Sequence, residues 1–142
     1  MIVSPFNLTW GSSVFAIVSA TNNYGTSSFS GEGNGAVILT LPDAPINLKE
    51  LTTNKSPTTI GLEWKDGINN GGSILLDYTL FWDQGDAANA FVVLKINETS
   101  KTYLAISLEP GKTYRFKVSS RNIYGLSLPS NTVTILSAFK PA

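Results

Sequence analysis

Over short segments the chain alternates apolar and polar residues, and clusters of Gly, Asn, Pro and Ser interrupt these segments at intervals of about ten residues. The alternation is clearest over residues 114–121, where it predicts a strand with one face toward a core and the other toward water. The predicted inward positions are Tyr114, Phe116 and Val118, and the predicted outward positions are Arg115, Lys117, Ser119 and Arg121.

Two further segments have the same period of two. Ile60, Leu62 and Trp64 share one face of segment 59–64. In segment 77–83 one face holds Tyr78, Leu80 and Trp82, and the other holds Asp77, Thr79, Phe81 and Asp83. Residues 69–73 (Asn-Asn-Gly-Gly-Ser) are types that tolerate positive φ, and they predict a turn. Because no amphipathic helix of useful length is visible, the pattern predicts an all-β fold.

The chain also repeats itself at an offset of 100 residues. Between Leu8 and Ser30, nine of 23 positions are identical to the residue 100 positions later. Glycine-rich residues 31–35 then precede a final predicted strand, 36–39, and residues 41–45 open the second copy. We therefore expect two units: residues 1–41 as the C-terminal strands of one repeat, and residues 42–142 as a complete repeat. Because residues 140–142 match the same junction, we expect the chain to begin within a repeat and to end at a boundary.

The second copy resembles a fibronectin type III domain over its whole length. The residues that carry the resemblance occur in order: Pro42-Asp43-Ala44-Pro45, Trp64, Gly71-Gly72-Ser73-Ile74 before Tyr78, Leu108-Glu109-Pro110-Gly111-Lys112-Thr113-Tyr114, Val118, Asn122, Gly125, and Ser127-Leu128-Pro129-Ser130. The resemblance implies an immunoglobulin-like β-sandwich of seven strands in two sheets, A-B-E packed on C′-C-F-G, preceded by E, F and G strands of a partial sandwich. One departure is the turn after Trp64, where Lys65-Asp66-Gly67 stands in place of the proline of many family members.

Large side chains fit the core of such a sandwich. Trp64 is expected between the sheets, and Tyr114, six positions after Leu108, suits a tyrosine corner whose hydroxyl bonds to upstream backbone. The predicted core residues are Trp64, Tyr78, Leu108, Tyr114, Phe116 and Val118.

The composition of the chain limits which chemical groups are available for catalysis and binding. The 142 residues suffice for one domain of about 100 residues and a remainder. Ten acidic and ten basic side chains balance, so electrostatic steering toward nucleic acid has no basis. Cysteine and histidine are absent, which removes the thiolate and the commonest general base, and we expect neither a cofactor nor an enzyme. No apolar run approaches the ~18 residues of a membrane span, and no signal peptide is visible; a secreted protein would have its signal upstream.

Three features of the sequence are candidate sites. Residues 83–86 (Asp-Gln-Gly-Asp), with Glu63, are the only candidate acidic group, and they are interpreted as a solvated loop because the spacing lacks the closing glutamate of a calcium loop. The glycine-rich residues 31–35 precede a strand rather than a helix, so they are interpreted as an F–G loop. Asn7 and Asn97 begin N-glycosylation sequons, whereas the sequon at Asn54 is followed by Pro57.

The first copy has an anomaly at its F strand. Where the second copy carries outward charges, the first carries Phe15 and Ile17, and Val18 lies on the opposite face. An open sheet face is normally polar. Either this is a modestly apolar face within a long array, or another domain or chain covers Phe15, Ile17 and Val18, which are the candidate assembly face.

These patterns favour a non-catalytic structural repeat of an extracellular or cell-surface protein that assembles into a fibre or surface layer. Its expected partners are other copies or adjacent repeats of the same protein, together with N-linked glycans. One alternative is an adhesion or ligand-binding module that uses the B–C loop (66–73) and the F–G loop (121–128). The other is a spacer domain of a larger secreted enzyme.

Overall fold

The alternating segments of the second copy are strands of two antiparallel sheets in the computed structural model, which describes residues 11–33 and 35–139. The strands of this part of the chain are β1 (Ser13–Val14), β2 (Thr21–Asn22), β3 (Gly25–Thr26), β4 (Ala36–Val37), β5 (Ile46–Ser56), β6 (Thr59–Lys65), β7 (Asp77–Trp82), β8 (Val92–Glu98), β9 (Thr102–Ala105), β10 (Thr113–Arg121) and β11 (Val133–Leu136).

The two large sheets have the order that the resemblance implied. One sheet has the order β5-β6-β9, which corresponds to A-B-E, and the other has the order β11-β10-β7-β8, which corresponds to G-F-C-C′. Strand β10 lies in mid-sheet, paired with β7 on one side and β11 on the other. The prediction of an all-β sandwich is therefore confirmed.

The core lies between these sheets, and both contribute to it because their inward faces are apolar at every second position. Each of the six predicted core residues is no more than 4% exposed. The Trp64 and Tyr78 rings meet edge to face, with centroids 5.4 Å apart and planes at 71°. Tyr114 Oη accepts a hydrogen bond from the Glu109 backbone N–H at 2.9 Å, which is the geometry of a tyrosine corner.

The outward face of β10 differs from the expectation at one position. Arg115 and Lys117 lie beside the Phe91 ring, with the Arg115 Cζ 5.1 Å and the Lys117 Nζ 4.3 Å from its centroid. Ser119, in contrast, is fully buried, so the prediction that it faces water is wrong. Ser119 is a small residue in a central strand of its sheet, and it lies opposite the buried Thr79 of β7.

The first copy forms a long hairpin. Strand β1 pairs with β4, and β2 pairs with β3. Between these pairs, backbone bonds join Ser27 N to Ala20 O, Ser30 N to Val18 O and Gly33 N to Ala16 O. Among the described residues, 11–33 and 35–139, residues 15–20 of the hairpin are therefore paired on one side only, whereas β10 is paired on both.

Candidate interaction surfaces

The hairpin of residues 12–38 reproduces the hydrogen bonds of the F–G hairpin in the complete domain. Val18 N–H donates to Ser30 Oγ at 3.0 Å, and Ser30 N–H donates to Val18 O at 2.8 Å. Val118 and Ser130 make the same two bonds at the same two distances. The serine hydroxyl thus takes the place of a backbone acceptor in both copies.

Two further positions of the repeat have the same structural role. Ala20 and Ser27 exchange a pair of bonds at 2.9 and 2.7 Å, and Ser120 and Ser127 do so at 3.0 and 2.8 Å. The side-chain oxygens of the equivalent asparagines close both turns: Asn22 Oδ1 accepts from Tyr24 N, and Asn122 Oδ1 accepts from Tyr124 N, each at 2.9 Å. The identities found at an offset of 100 therefore specify one local structure built twice.

What differs between the copies is the covering of the hairpin. Val118 is fully buried, whereas its equivalent Val18 is 67% exposed. Phe15 and Ile17 are 56% and 53% exposed in this chain. The candidate assembly face is therefore open to solvent in the single chain, and its burial by another segment stays a prediction.

The B–C and F–G loops of the complete domain also present apolar side chains. The B–C loop follows β6, and exposed Ile68 and Ile74 lie between β6 and β7. Ile123, Tyr124 and Leu128 are exposed between β10 and β11. The backbone of the B–C loop, however, is engaged by the chain itself, because Asn69 O accepts from Asp43 N and Gly71 O accepts from Thr40 N, both at 2.9 Å.

The interpretation of residues 83–86 as a solvated loop is wrong for Asp83. Its side chain is 1% exposed, and Oδ1 accepts from the backbone N–H of Gly85 at 2.9 Å and of Arg115 at 3.0 Å. Oδ2 accepts from Arg115 Nε at 2.7 Å. Burial would raise the pKa of Asp83, but the Arg115 side chain and these backbone donors outweigh it and hold the pKa below its usual value.

Asp86, in contrast, is exposed as predicted, and its Oδ1 accepts only a local bond from Ala88 N at 2.9 Å. A second Asp–Arg pair lies at the other end of the same ladder, where Arg121 Nε donates to Asp77 Oδ1 at 2.9 Å. The pairs follow from the register, since Arg121 lies opposite Asp77 and Phe116 opposite Trp82, which places Arg115 opposite Asp83.

Asp66 joins the B–C loop to both sheets. Tyr78 Oη donates to Asp66 Oδ1, and Lys101 Nζ lies 2.5 Å from Asp66 Oδ2. Partial burial would raise the pKa of Asp66, but the hydrogen bonds from Lys101 and Tyr78 hold it below its usual value. For the phenol, burial and the bond to Asp66 raise the pKa of Tyr78 well above its usual range. These bonds anchor Asp66 in the turn after Trp64, where many family members have proline.

Of the two predicted glycosylation sites, Asn7 lies outside the described residues. Asn97 is exposed near the end of β8 with a φ of 55°, and its Oδ1 accepts from Arg121 at 3.4 Å. A glycan would attach through Nδ2, so this contact leaves the attachment atom unused. Occupancy of both sites stays a prediction.

Within residues 11–33 and 35–139, no three acidic, histidine or cysteine side chains are grouped as a metal site. The same residues contain no helix that is long and apolar enough to cross a membrane.

Comparison with known proteins identifies the family. The model of the fibronectin type III domain matches residues 43–135. The chain belongs to the fibronectin type III family. Its fibronectin type III relatives include Protein turtle of Drosophila melanogaster, 31% identical over 68% of this chain, and neural cell adhesion molecule L1 of Takifugu rubripes, 34% identical over 63% of this chain. The chain spans only 6% and 7% of the length of these two relatives.

A solved structure of several titin domains matches the fold. It superposes with a TM-score of 0.65 at 22% identity, covering 93% of this chain and 43% of the titin chain. At this identity the match supports the fibronectin type III fold alone.

Proposed function

We propose that this chain is a non-catalytic structural part of an extracellular or cell-surface tandem array, with residues 1–41 ending one fibronectin type III repeat and residues 42–142 forming the next. In this proposal the repeats associate by stacking and by contacts between strands and sheet faces. The observation that carries it is the first hairpin. Its hydrogen bonds are those of the F–G hairpin of the complete domain, but Val18 is exposed where the equivalent Val118 is buried.

A hairpin of this size has too little core to be stable alone. Fully burying a Phe or Ile side chain contributes about 1.5–3 kcal/mol, and because Phe15 and Ile17 are 56% and 53% exposed, a covering surface would gain roughly half of that for each. Within the part of the chain that the structure describes, residues 15–20 also have no backbone partner on their second edge, and such an edge is a template for a further strand. The covering surface in this proposal is an adjacent repeat or a second copy of the same protein.

The test uses Ile17→Lys, which places a charge on the proposed contact face. Ile106→Lys is the matched control, because Ile106 is a similarly exposed isoleucine in the complete domain, between β9 and β10. In sedimentation velocity over a range of concentrations, we expect the wild-type chain to form oligomers that Ile17→Lys weakens and Ile106→Lys preserves. A wild-type chain that stays monomeric throughout, or equal losses in both variants, would contradict association between copies through this face and leave an adjacent repeat as the covering surface.

Adhesion through the F–G loop is the second candidate, because Ile123, Tyr124 and Leu128 are exposed together in a loop and one relative is by name a cell adhesion molecule. This function requires saturable binding of the monomer to a partner surface. Binding that is lost in Tyr124→Ser and retained in Ile17→Lys would favour adhesion over assembly.

A further inference from the structure

The segment that joins the two repeats is held by backbone bonds on both of its sides. Toward the hairpin, Gly11 N donates to Ile38 O at 2.7 Å, and Ile38 N donates to Ser12 O at 3.0 Å. Toward the complete domain, Thr40 N donates to Gly71 O and Asp43 N to Asn69 O, both at 2.9 Å. The joining segment 38–43 thus forms backbone hydrogen bonds with the hairpin at one end and with the B–C loop along the rest of its length.

Side chains of the complete domain fix the same segment. The Asn122 carboxamide donates through Nδ2 to Thr40 O and to Asn70 O, both at 2.8 Å, so it bridges the segment and the loop. Ser120 Oγ donates to Asp43 O at 3.0 Å, and Asp43 Oδ2 accepts from Asn69 N and Nδ2 at 3.1 and 3.0 Å. Asn122 is 2% exposed, so its bonds are made away from water, where an unpaired amide is costly.

Glycines allow the backbones to approach this closely. A Cβ on Gly71 would lie 2.2 Å from Thr40 O, and one on Gly67 would lie 2.6 Å from Asp43 Cβ. Gly71 also has a φ of 73°, in the left-handed region. Buried Pro42 within the segment has a fixed φ, which lowers the entropy lost when the segment docks.

From these contacts we infer that the B–C loop and Asn122 form a docking site for the inter-repeat segment 38–43, which fixes the orientation of one repeat on the next. The joint is specific for an extended peptide whose carbonyl at Thr40 faces Asn122 and whose carboxylate at Asp43 caps Asn69. It rests on the proposed tandem array, and it assigns the backbone face of the B–C loop to the array rather than to a ligand.

The test is amide hydrogen exchange of the full chain, followed by NMR at Thr40 and Asp43. Gly71→Ala introduces the clash with Thr40 O, and Gly111→Ala is its control, because Gly111 has a similar φ of 75° with no atom within 4 Å of its Cβ. We expect Thr40 and Asp43 to exchange about tenfold faster or more in Gly71→Ala, as for the loss of one or more hydrogen bonds, and at the wild-type rate in Gly111→Ala. The amide of Val118, which lies in the core, should exchange at the wild-type rate in both variants.

A second variant pair separates the joint from the turn. Asn122→Asp keeps the oxygen that accepts from Tyr124 N but loses the donor to Thr40 O, and Asn22→Asp makes the same change where no bond from Nδ2 is found among the described residues. We expect only Asn122→Asp to speed exchange at Thr40. If a variant fails to fold, residual dipolar couplings of the wild-type chain still decide, because residues 36–40 and 113–121 must share one alignment frame.

Thr40 and Asp43 amides that exchange as freely as an unstructured peptide, or separate alignment frames, would overturn the joint. Either result leaves the oligomer test with Ile17→Lys unaffected, so failure of the joint and failure of the assembly proposal are distinguishable.

Discussion

Replacing Asp83 by alanine tests the correction to the loop that follows β7. The substitution removes a carboxylate that is 1% exposed and accepts three bonds. It leaves the N–H groups of Gly85 and Arg115 without this acceptor and the Arg115 guanidinium without its counterion. Removing one partner of a buried ion pair costs about 3–5 kcal/mol.

For Asp83→Ala we expect the free energy of unfolding to fall by about 3 kcal/mol, at the lower end of this range, because Arg115 keeps other interactions. Its side chain is 29% exposed, and its Nη2 still donates to Ala87 O at 2.9 Å. For a domain of about 100 residues, 1 kcal/mol shifts Tm by roughly 4–8 °C, so the expected drop is about 12 °C or more. Thermal unfolding followed by circular dichroism measures it, with urea unfolding to confirm that the m-value is unchanged.

Asp86→Ala is the matched control, since Asp86 is an exposed aspartate three residues away with one local bond. It should change stability by less than about 1 kcal/mol. If Asp83→Ala and Asp86→Ala have the same small effect, the buried pair contributes nothing and the solvated-loop interpretation was adequate after all.

Three further changes test the core and its electrostatics. Trp64→Ala should cost about 3–5 kcal/mol in urea unfolding because it opens a cavity between the sheets; a loss below 1 kcal/mol would be inconsistent with its burial. Tyr114→Phe removes the acceptor for Glu109 N–H and should cost about 1 kcal/mol with little change in packing, measured by the same method; no loss would mean that water replaces the bond. Because the pKa of Asp83 is lowered in the folded state, its stabilisation is present above the unfolded pKa of about 3.9 and is lost as pH falls through the folded value. The stability difference between wild type and Asp83→Asn should therefore shrink as pH falls below the unfolded pKa, and a difference that stays constant with falling pH would contradict the pKa shift.

The alternating pattern predicted the strands and their buried faces, because burial on one face of a strand imposes a period of two. Large aromatic side chains such as Trp64 and Tyr114 could be assigned to the core because they are usually buried. The sheet order came from the resemblance rather than from the pattern. The solvated-loop interpretation of Asp83 is wrong because composition alone does not show the neighbour across the sheet, although Asp83 shares one face of segment 77–83 and Arg115 lies on the predicted outward face of 114–121. Pairing those two faces would have brought them together.

The joint at Asn122 was not foreseen, since its partners are backbone carbonyls of Thr40 and Asn70, which have no signature in side-chain identity. The sequence signals were Asn122, which belongs to the family resemblance, and the glycines of the B–C loop, which predict only a turn. Close approach of two backbones is a property of the folded arrangement, so the structure was needed to reveal it.

The two Asp–Arg pairs at the ends of the β7–β10 ladder have a consequence for folding in an array of similar repeats. Neighbouring repeats carry related strands, and exchange of strands between them is a characteristic misfolding route. At the positions of Arg115 and Arg121, the first copy has Phe15 and Thr21. If β7 paired with that hairpin, Asp77 and Asp83 would be buried without a cation, at a cost of about 3–5 kcal/mol each. The aspartates therefore disfavour pairing of β7 with the strand of another repeat, and we expect the strand that completes the first hairpin to lack buried carboxylates at these two positions.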